Sequence, residues 1–297
     1  MTAVVPVYSL GFGLVTASIL ALAAVGFTLQ FGVTNILNLA FGDLMTASAL
    51  VGYGVNVIGG TLAESLLAGA VFGAIASALL NRYVYTPFVR HGTKLFGMVI
   101  VTLSTGIVIQ NFILGWFGAN FFSYKVAQTK TYHVVGMYFT SIQFMIMGLA
   151  IAVMIVVQLL LTQTRLGKAM RATAANPALA QISGIATDRV IDVAWLMSGA
   201  LCGLAGVVLV LNTTSFQSTT GNDFLVVIIA AAMLGGVGRP LGALVGAVIL
   251  GIATEVSAAY MSPSYKEVIA FVVLVIVLLV RPGGLFGNAD AVRSSNA

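Results

Sequence analysis

Residues 138–161 read YFTSIQFMIMGLAIAVMIVVQLLL, an apolar run without a charged side chain. A helix of about 20 such residues crosses the hydrocarbon core of a bilayer with its backbone hydrogen bonds kept inside the segment. Similar segments occur at 8–29, 36–58, 62–81, 95–117, 190–211, 224–237, 241–260 and, with its flanks, 267–280. Together they predict about nine spans. Composition agrees: 60% of the 297 residues are hydrophobic and 7% are charged, against about 25% charged in a soluble domain. A soluble enzyme, a disordered chain and a nucleic-acid binder are thereby excluded. The predicted fold is an all-α, polytopic membrane helix bundle, with residues 1–297 forming a single transmembrane domain. The second segment carries Asn38, Gly42 and Asp43, which predicts a broken or re-entrant element, because irregular backbone at membrane depth needs protein or a cavity to supply partners.

Charge placement predicts the orientation. Alternating spans put Arg82, Arg90, Lys94, Arg165, Lys168, Arg171, Arg189, Arg239, Arg281 and Arg293 on one side, and Lys125, Lys130 and Lys266 on the other. The basic side is cytoplasmic by the positive-inside rule, so the N-terminus lies outside and the C-terminus inside. Tyr132 and Tyr138 flank the outer loop and Tyr83 and Tyr85 the inner one, as interfacial anchors. No basic stretch precedes the first apolar run, so it reads as a span rather than a signal peptide. The single cysteine, Cys202, cannot form an internal disulfide. His91 and His133 lie between apolar runs and are placed to ligate neither a haem nor a metal. A Walker-type phosphate loop is absent.

The longest cytoplasmic connection is 162–189, TQTRLGKAMRATAANPALAQISGIATDR. Residues 165–175 have helix-forming composition. Asn176-Pro177 reads as an N-cap followed by proline in the first helical position. A short helix over 177–183 then ends at Gly184 in the left-handed conformation. Thr187 caps the next helix, with Asp188 in its first turn. Leu179, Ala180, Ile182 and Ile185 face outward on this reading. They either fold back onto protein or lipid, or dock into a groove on a soluble partner.

Several polar residues lie within or beside spans. Asn35, Asn38, Phe41, Gly42 and Asp43 form a candidate pathway or gate element; alternatively Asp43 caps a helix start near the surface. Glu255 either pairs with Lys266 or faces the pathway. Asp223 and Glu64 read as helix-start charges. Gly235, Gly236, Gly238, Arg239, Pro240 and Gly242 make a tight connection between two spans. Gly242, Gly246 and Gly251, with Ala243 and Ala247, form a small-residue face for close helix packing.

The segment GKAMRATAANPALAQISGIATDRV (167–190) resembles the cytoplasmic coupling region of the permease subunits of branched-chain amino-acid ABC importers. Three further segments resemble that family in the same order: GFTLQFGVTNILNLAFGD (26–43), LGGVGRPLGALVGAVILGIATE (234–255) and SYKEVIAFVVLVIVLLVRPGGLFG (264–287). The likeness is to the permease type that ends soon after RP-G-LFG. It implies a multi-pass subunit of the bacterial inner membrane that works with a second permease, usually a different chain. Two cytoplasmic ATPase subunits and an extracytoplasmic binding protein complete the complex. ATP and Mg would be bound by the ATPases, with no cofactor and no catalysis on this chain. By the resemblance, Arg165, Gly167, Lys168, Arg171, Asn176, Pro177, Leu179, Ala180, Ile182, Gly184 and Ile185 form the coupling element. Phe41 stands where the family commonly has His, Asp43 where it has Glu, and Arg239-Pro240 where a small residue is usual. The cargo expected is a branched-chain amino acid or a related small polar solute; relatives also carry urea, short amides and aromatic acids. Three alternatives remain open: a self-standing channel or facilitator, a membrane anchor for an enzyme complex, and a sugar-type ABC permease.

Overall fold

The structure, a computed structural model, describes residues 5–126, 130–134, 136–236, 238–262, 265–281 and 283–286. Arg293, counted above on the basic side, lies outside these residues, as do Val237, Ser264, Pro282 and Gly287 of the quoted motifs.

In chain order the elements are α1 (Val5–Thr34), α2 (Phe41–Val57), α3 (Leu62–Leu79), a π-helical turn (Leu80–Tyr85), α4 (Thr86–Arg90), α5 (Leu95–Phe117), β1 (Thr131–Val134), β2 (Met137–Thr140), α6 (Ser141–Gln163), α7 (Arg165–Ala175), α8 (Pro177–Ile182), α9 (Thr187–Thr213), α10 (Thr220–Gly235), α11 (Pro240–Ala258) and α12 (Lys266–Val280). Each of the nine apolar segments contains a helix. Among the described residues, six helical segments are long and apolar enough to cross a membrane: 8–34, 62–90, 95–117, 141–163, 187–213 and 240–258. α2, α10 and α12 have 17, 16 and 15 residues. At the helical rise they reach about 25 Å or less, short of a hydrocarbon core of about 30 Å.

The structure corrects several boundaries. The run beginning at Tyr138 is not helical from its start. Met137–Thr140 pairs antiparallel with Thr131–Val134, with His133 opposite Tyr138, and the helix begins at Ser141. The described fold is therefore helical with one two-stranded hairpin. Its aromatic and β-branched residues suit a strand, and Gly136, at φ 79°, makes the turn. α1 continues to Thr34 and α2 runs unbroken from Phe41, so the break in the helical backbone falls at 35–40, before Gly42 and Asp43. The helix from Leu62 runs on through the π turn to Arg90. That turn adds a residue to the helical repeat and re-aims the side chains after it. Tyr85, expected at the membrane interface, is instead fully buried, its ring centroid 4.9 Å from that of Trp195. Tyr83 stays exposed.

The chain divides into two compact units. One comprises residues 29–126 and 155–225. Its centre is the contact between α3 and α9, made by two glycine pairs. Added Cβ atoms on Gly73 and Gly199 would each run into the other's carbonyl, and a Cβ on Gly203 would run into that of Gly69, whose own Cβ would strike Val207. Two G-x-x-x-G runs thus pack antiparallel, backbone on backbone. Farther along α9, Gly206 lies against the Met45 carbonyl of α2. Phe122 and Phe216 exchange backbone hydrogen bonds of 2.9 Å, and their rings gather around Tyr53 and Tyr124. The Tyr124 hydroxyl donates to the Ala49 carbonyl at 2.7 Å.

The other unit comprises residues up to 28, 127–154 and 226 onward. Gly251 packs against Ala17 of α1, Gly246 against the Ala231 carbonyl and Gly242 against Gly235. With Ala243 and Ala247 fully buried, the small-residue face serves close packing within the chain. Tyr8 stacks on Tyr138 with centroids 5.4 Å apart.

Candidate functional site

The 164–189 connection is held at nearly every turn. The Thr164 hydroxyl oxygen accepts from the Gly167 N–H at 3.1 Å and caps α7. A Cβ at Gly167 would strike the Leu160 and Leu161 carbonyls at the end of α6, so only glycine fits that bend. Arg171 reaches back and donates to the Leu161 carbonyl. Asn176 Oδ1 accepts from the Leu179 N–H at 3.0 Å, with Pro177 in the first helical position. At the far end Gly184 takes φ 84°. Its N–H donates to the Gln181 carbonyl and the Ile185 N–H to the Ala180 carbonyl, both at 3.0 Å. This paired closure satisfies the last carbonyls of α8.

The outward face of α8 is narrower than the sequence suggests. Leu179 and Ile182 are exposed, 61% and 85%, whereas Ala180 is buried and Ile185 half-buried. The short helix therefore leans on the body of its unit through Ala180 and presents two aliphatic side chains three residues apart. Arg165, Lys168 and Arg171 are exposed beside it. α9 starts at Thr187 itself, following Ala186 with no side-chain cap, so Thr187 is not the capping residue. Asp188 does sit in the first turn, 3.7 Å from Arg90 across an exposed ion pair. Asn176→Ala is expected to destabilise α8 by about 1 kcal/mol, seen as faster amide hydrogen exchange confined to 177–185.

In the same unit, the irregular 35–40 segment is tied down by a side-chain network that includes Gln30, Thr102 and Ser198, which the sequence does not single out. Gln30 Oε1 accepts from Asn38 Nδ2 at 3.3 Å and from the Ser198 hydroxyl at 3.2 Å. Tyr85 donates to Asn38 Oδ1 at 3.4 Å. The Thr102 hydroxyl donates to the Leu37 carbonyl at 2.9 Å. Asn35 takes φ 53° and faces out. The signal for Gln30 was in the chain: it is the one amide side chain in the apolar run of α1. The rest of the network, Tyr85 of the π turn, Thr102 of α5 and Ser198 of α9, carries no local mark.

Phe41, Gly42 and Asp43 form the first turn of α2, all buried. The Cys202 thiol lies 3.3 Å from the Phe41 carbonyl. Gly42 packs against Gly221 at the start of α10, whose N–H donates to the Thr46 hydroxyl at 2.9 Å. Asp43 is 3% exposed and caps nothing: Ala40 precedes the helix, and Oδ1 has no hydrogen-bond partner among the described residues. Gly106 of α5 leaves the space its other oxygen occupies. The surface-cap reading of Asp43 is thus set aside. An ionisable group enclosed in this way is costly to bury.

The remaining candidates belong to the other unit. Lys266 Nζ lies 2.7 Å from Glu255 Oε1, which also accepts from the Thr16 hydroxyl at 2.9 Å. Glu255 therefore pairs with Lys266 rather than standing free. Lys266→Met leaves that carboxylate with one neutral donor. Because Lys266 is 38% exposed, the expected loss is only about 1 kcal/mol, read as a lower melting temperature in detergent.

Gly235, Gly236 at φ 104° and Gly238 at φ 80° turn the chain between α10 and α11, with Pro240 opening α11. The closing motif folds onto this turn. The Leu285 N–H donates to the Leu234 carbonyl at 2.8 Å, the Phe286 N–H to Gly235 at 3.3 Å, and Arg239 donates to the Phe286 carbonyl. Two motifs remote in sequence are one structural site.

The profile of the family described as branched-chain amino acid transport system / permease component matches residues 9–278. The high-affinity branched-chain amino acid transport system permease protein LivH of Escherichia coli (strain K12) is 31% identical over 299 residues, 94% of each chain. BraD of Pseudomonas aeruginosa, described as a permease protein of the same kind of system, is 27% identical over 94% of each chain. The ribose import permease protein RbsC of Escherichia coli (strain K12) is 27% identical over 89% of this chain and 82% of its own. Among solved structures, PsaBC from Streptococcus pneumoniae in complex with Fab superposes with a TM-score of 0.51 over 93% of this chain and 92% of that one, at 16% identity, a likeness of fold.

Proposed function

Because the chain belongs to the branched-chain amino-acid ABC transporter permease family, we propose that it forms half of a substrate pathway for branched-chain amino acids or a related small polar solute. The single observation that carries this reading is the family match across residues 9–278. The permease itself is not the catalytic subunit of such an importer. The proposed partners are a second permease chain, two ATPase subunits that bind ATP and Mg, and an extracytoplasmic binding protein. The basic excess on one set of connections supports an N-out, C-in orientation, with 164–189 facing the cytoplasm.

α8 is the coupling element in this proposal. Leu179 and Ile182 enter an apolar groove on an ATPase, and Arg165, Lys168 and Arg171 flank the contact. The element joins α6 through α7 and runs directly into α9. Because α9 is locked to α3 by glycine pairs and touches α2 at Gly206, a push on α8 moves these helices together rather than bending one of them. Closure of the ATPases would then shift a two-state equilibrium of the pathway helices, through contacts that differ between the states. Asn38 and Asp43, at the break between α1 and α2, are the proposed gate residues.

The likeness to a ribose permease favours a second reading of the cargo, a sugar. Co-purification from mild detergent tests the assembly: an ATPase and a second permease should be retained with the chain. Recovery of the chain alone, active for solute flux, would support the channel reading instead. Uptake with the co-encoded binding protein then separates amino acid from sugar.

A further inference from the structure

A cavity of about 1130 Å³ opens between α2, α3 with its π turn, and α5. Its walls are almost entirely hydrocarbon and aromatic, including Leu44, Val51, Ala76, Ile109 and Phe112, with Tyr83 at one end. The rim is open: Leu79, Tyr83, Val108 and Phe112 are exposed. An apolar groove on membrane-spanning helices meets lipid or another span, and its two ends differ in charge. Arg82 lies in the π turn between the wall residues Leu80 and Tyr83, and Arg90 and Lys94 follow in the connection to α5. All three are exposed, and among the described residues neither Arg82 nor Lys94 has an acidic partner. Phe88, Val89, Leu95 and Phe96 are exposed around them, the mixture of apolar and basic side chains that sits at a headgroup interface. At the opposite end the wall residues are Val57, Ile58 and Phe117, and the charges nearby are of both signs: Lys125, whose backbone pairs with Asn56, and Glu64 in the first turn of α3.

From this gradient we propose that the groove holds an acyl chain of an anionic phospholipid, whose phosphate is bound by Arg82 and Lys94. Basic pockets between membrane helices on the cytoplasmic side suit anionic headgroups. Arg90 is the third member of the cluster, held in part by Asp188. That ion pair connects the lipid end to the first turn of α9, next to the coupling element. The inference rests on the membrane orientation proposed above but not on the cargo, so retained lipid and transport are separate readouts.

The test uses the complete complex in nanodiscs containing equal amounts of phosphatidylglycerol and phosphatidylcholine. Phospholipid that stays bound after release from the disc is counted by native mass spectrometry. Phosphatidylglycerol is expected to be retained in preference. Arg82→Gln with Lys94→Gln should reduce that preference by about thirtyfold, as expected for two basic side chains near a membrane surface. Ala76→Phe, which fills the groove, should release lipid of both kinds; if that variant does not assemble, the exposed charge variant decides alone. No retained phospholipid, equal retention of the two lipids, or an unchanged preference in the charge variant would each overturn the proposal. So would an efficient cross-link from Ala76→Cys to the second permease, since a protein helix would then occupy the groove.

Discussion

Leu179→Asp is expected to abolish ATP hydrolysis stimulated by the binding protein, while the chain still inserts and is recovered from the membrane. Leu179 and Ile182 are the two large apolar side chains that α8 exposes, and burial of each in an ATPase groove would stabilise the contact by about 1.5–3 kcal/mol. A carboxylate at 179 removes that gain and adds an ion that must lose its water on docking. Leu179 is 61% exposed, so neither effect should reach the fold of the permease itself. Gly184→Val reaches the same end by another route. At φ 84° a side chain costs about 1–2 kcal/mol, and the closure through Ile185 and Ala180 is lost with it. Its effect should be partial where that of Leu179→Asp is complete. Wild-type stimulation in both variants would remove α8 from the coupling path.

Gly73→Leu and Gly199→Leu are expected to be the most destabilising single changes in the chain. In each, the new Cβ meets a backbone carbonyl of the facing helix, which cannot swing aside as a side-chain tip could. Separating α3 from α9 would empty the centre of that unit, and we expect a loss of about 3 kcal/mol or more, seen as poor yield and a depressed melting temperature in detergent. Gly115→Ala is the matched control. A Cβ there meets nothing within 4 Å, and the helix gains from alanine by about 0.5–1 kcal/mol. Equal melting temperatures for Gly73→Leu and Gly115→Ala would mean that the glycine pairs do not hold the unit together.

What the chain discloses by itself follows the range of the interactions. The capped connection at 164–189 was legible nearly residue by residue. Asn176, Pro177 and Gly184 each act on backbone groups within a few positions, so their chemistry is written locally. The apolar runs were legible as helices because a span must satisfy its own backbone. Tyr85 was misread because its neighbour Trp195 lies far along the chain and because a π turn shifts the helical phase before it. Gly69, Gly73, Gly199 and Gly203 show G-x-x-x-G spacing, yet nothing local says that these two runs face each other. Ala180 looked like Leu179 in composition, and only packing turned it inward. Asp43 was recognised as unusual, whereas the Gln30, Asn38, Ser198 and Tyr85 network that fixes the segment before it needed four elements to be seen.

In the proposed mechanism a separate motor drives this pathway. The permease should be reconstituted into proteoliposomes with its second permease and ATPases, with the binding protein outside and ATP inside. Labelled branched-chain amino acid should accumulate against its gradient only when ATP, the ATPases and the binding protein are all present. Equilibrating uptake of the same solute by the permease chains alone, unaffected by ATP, would contradict it.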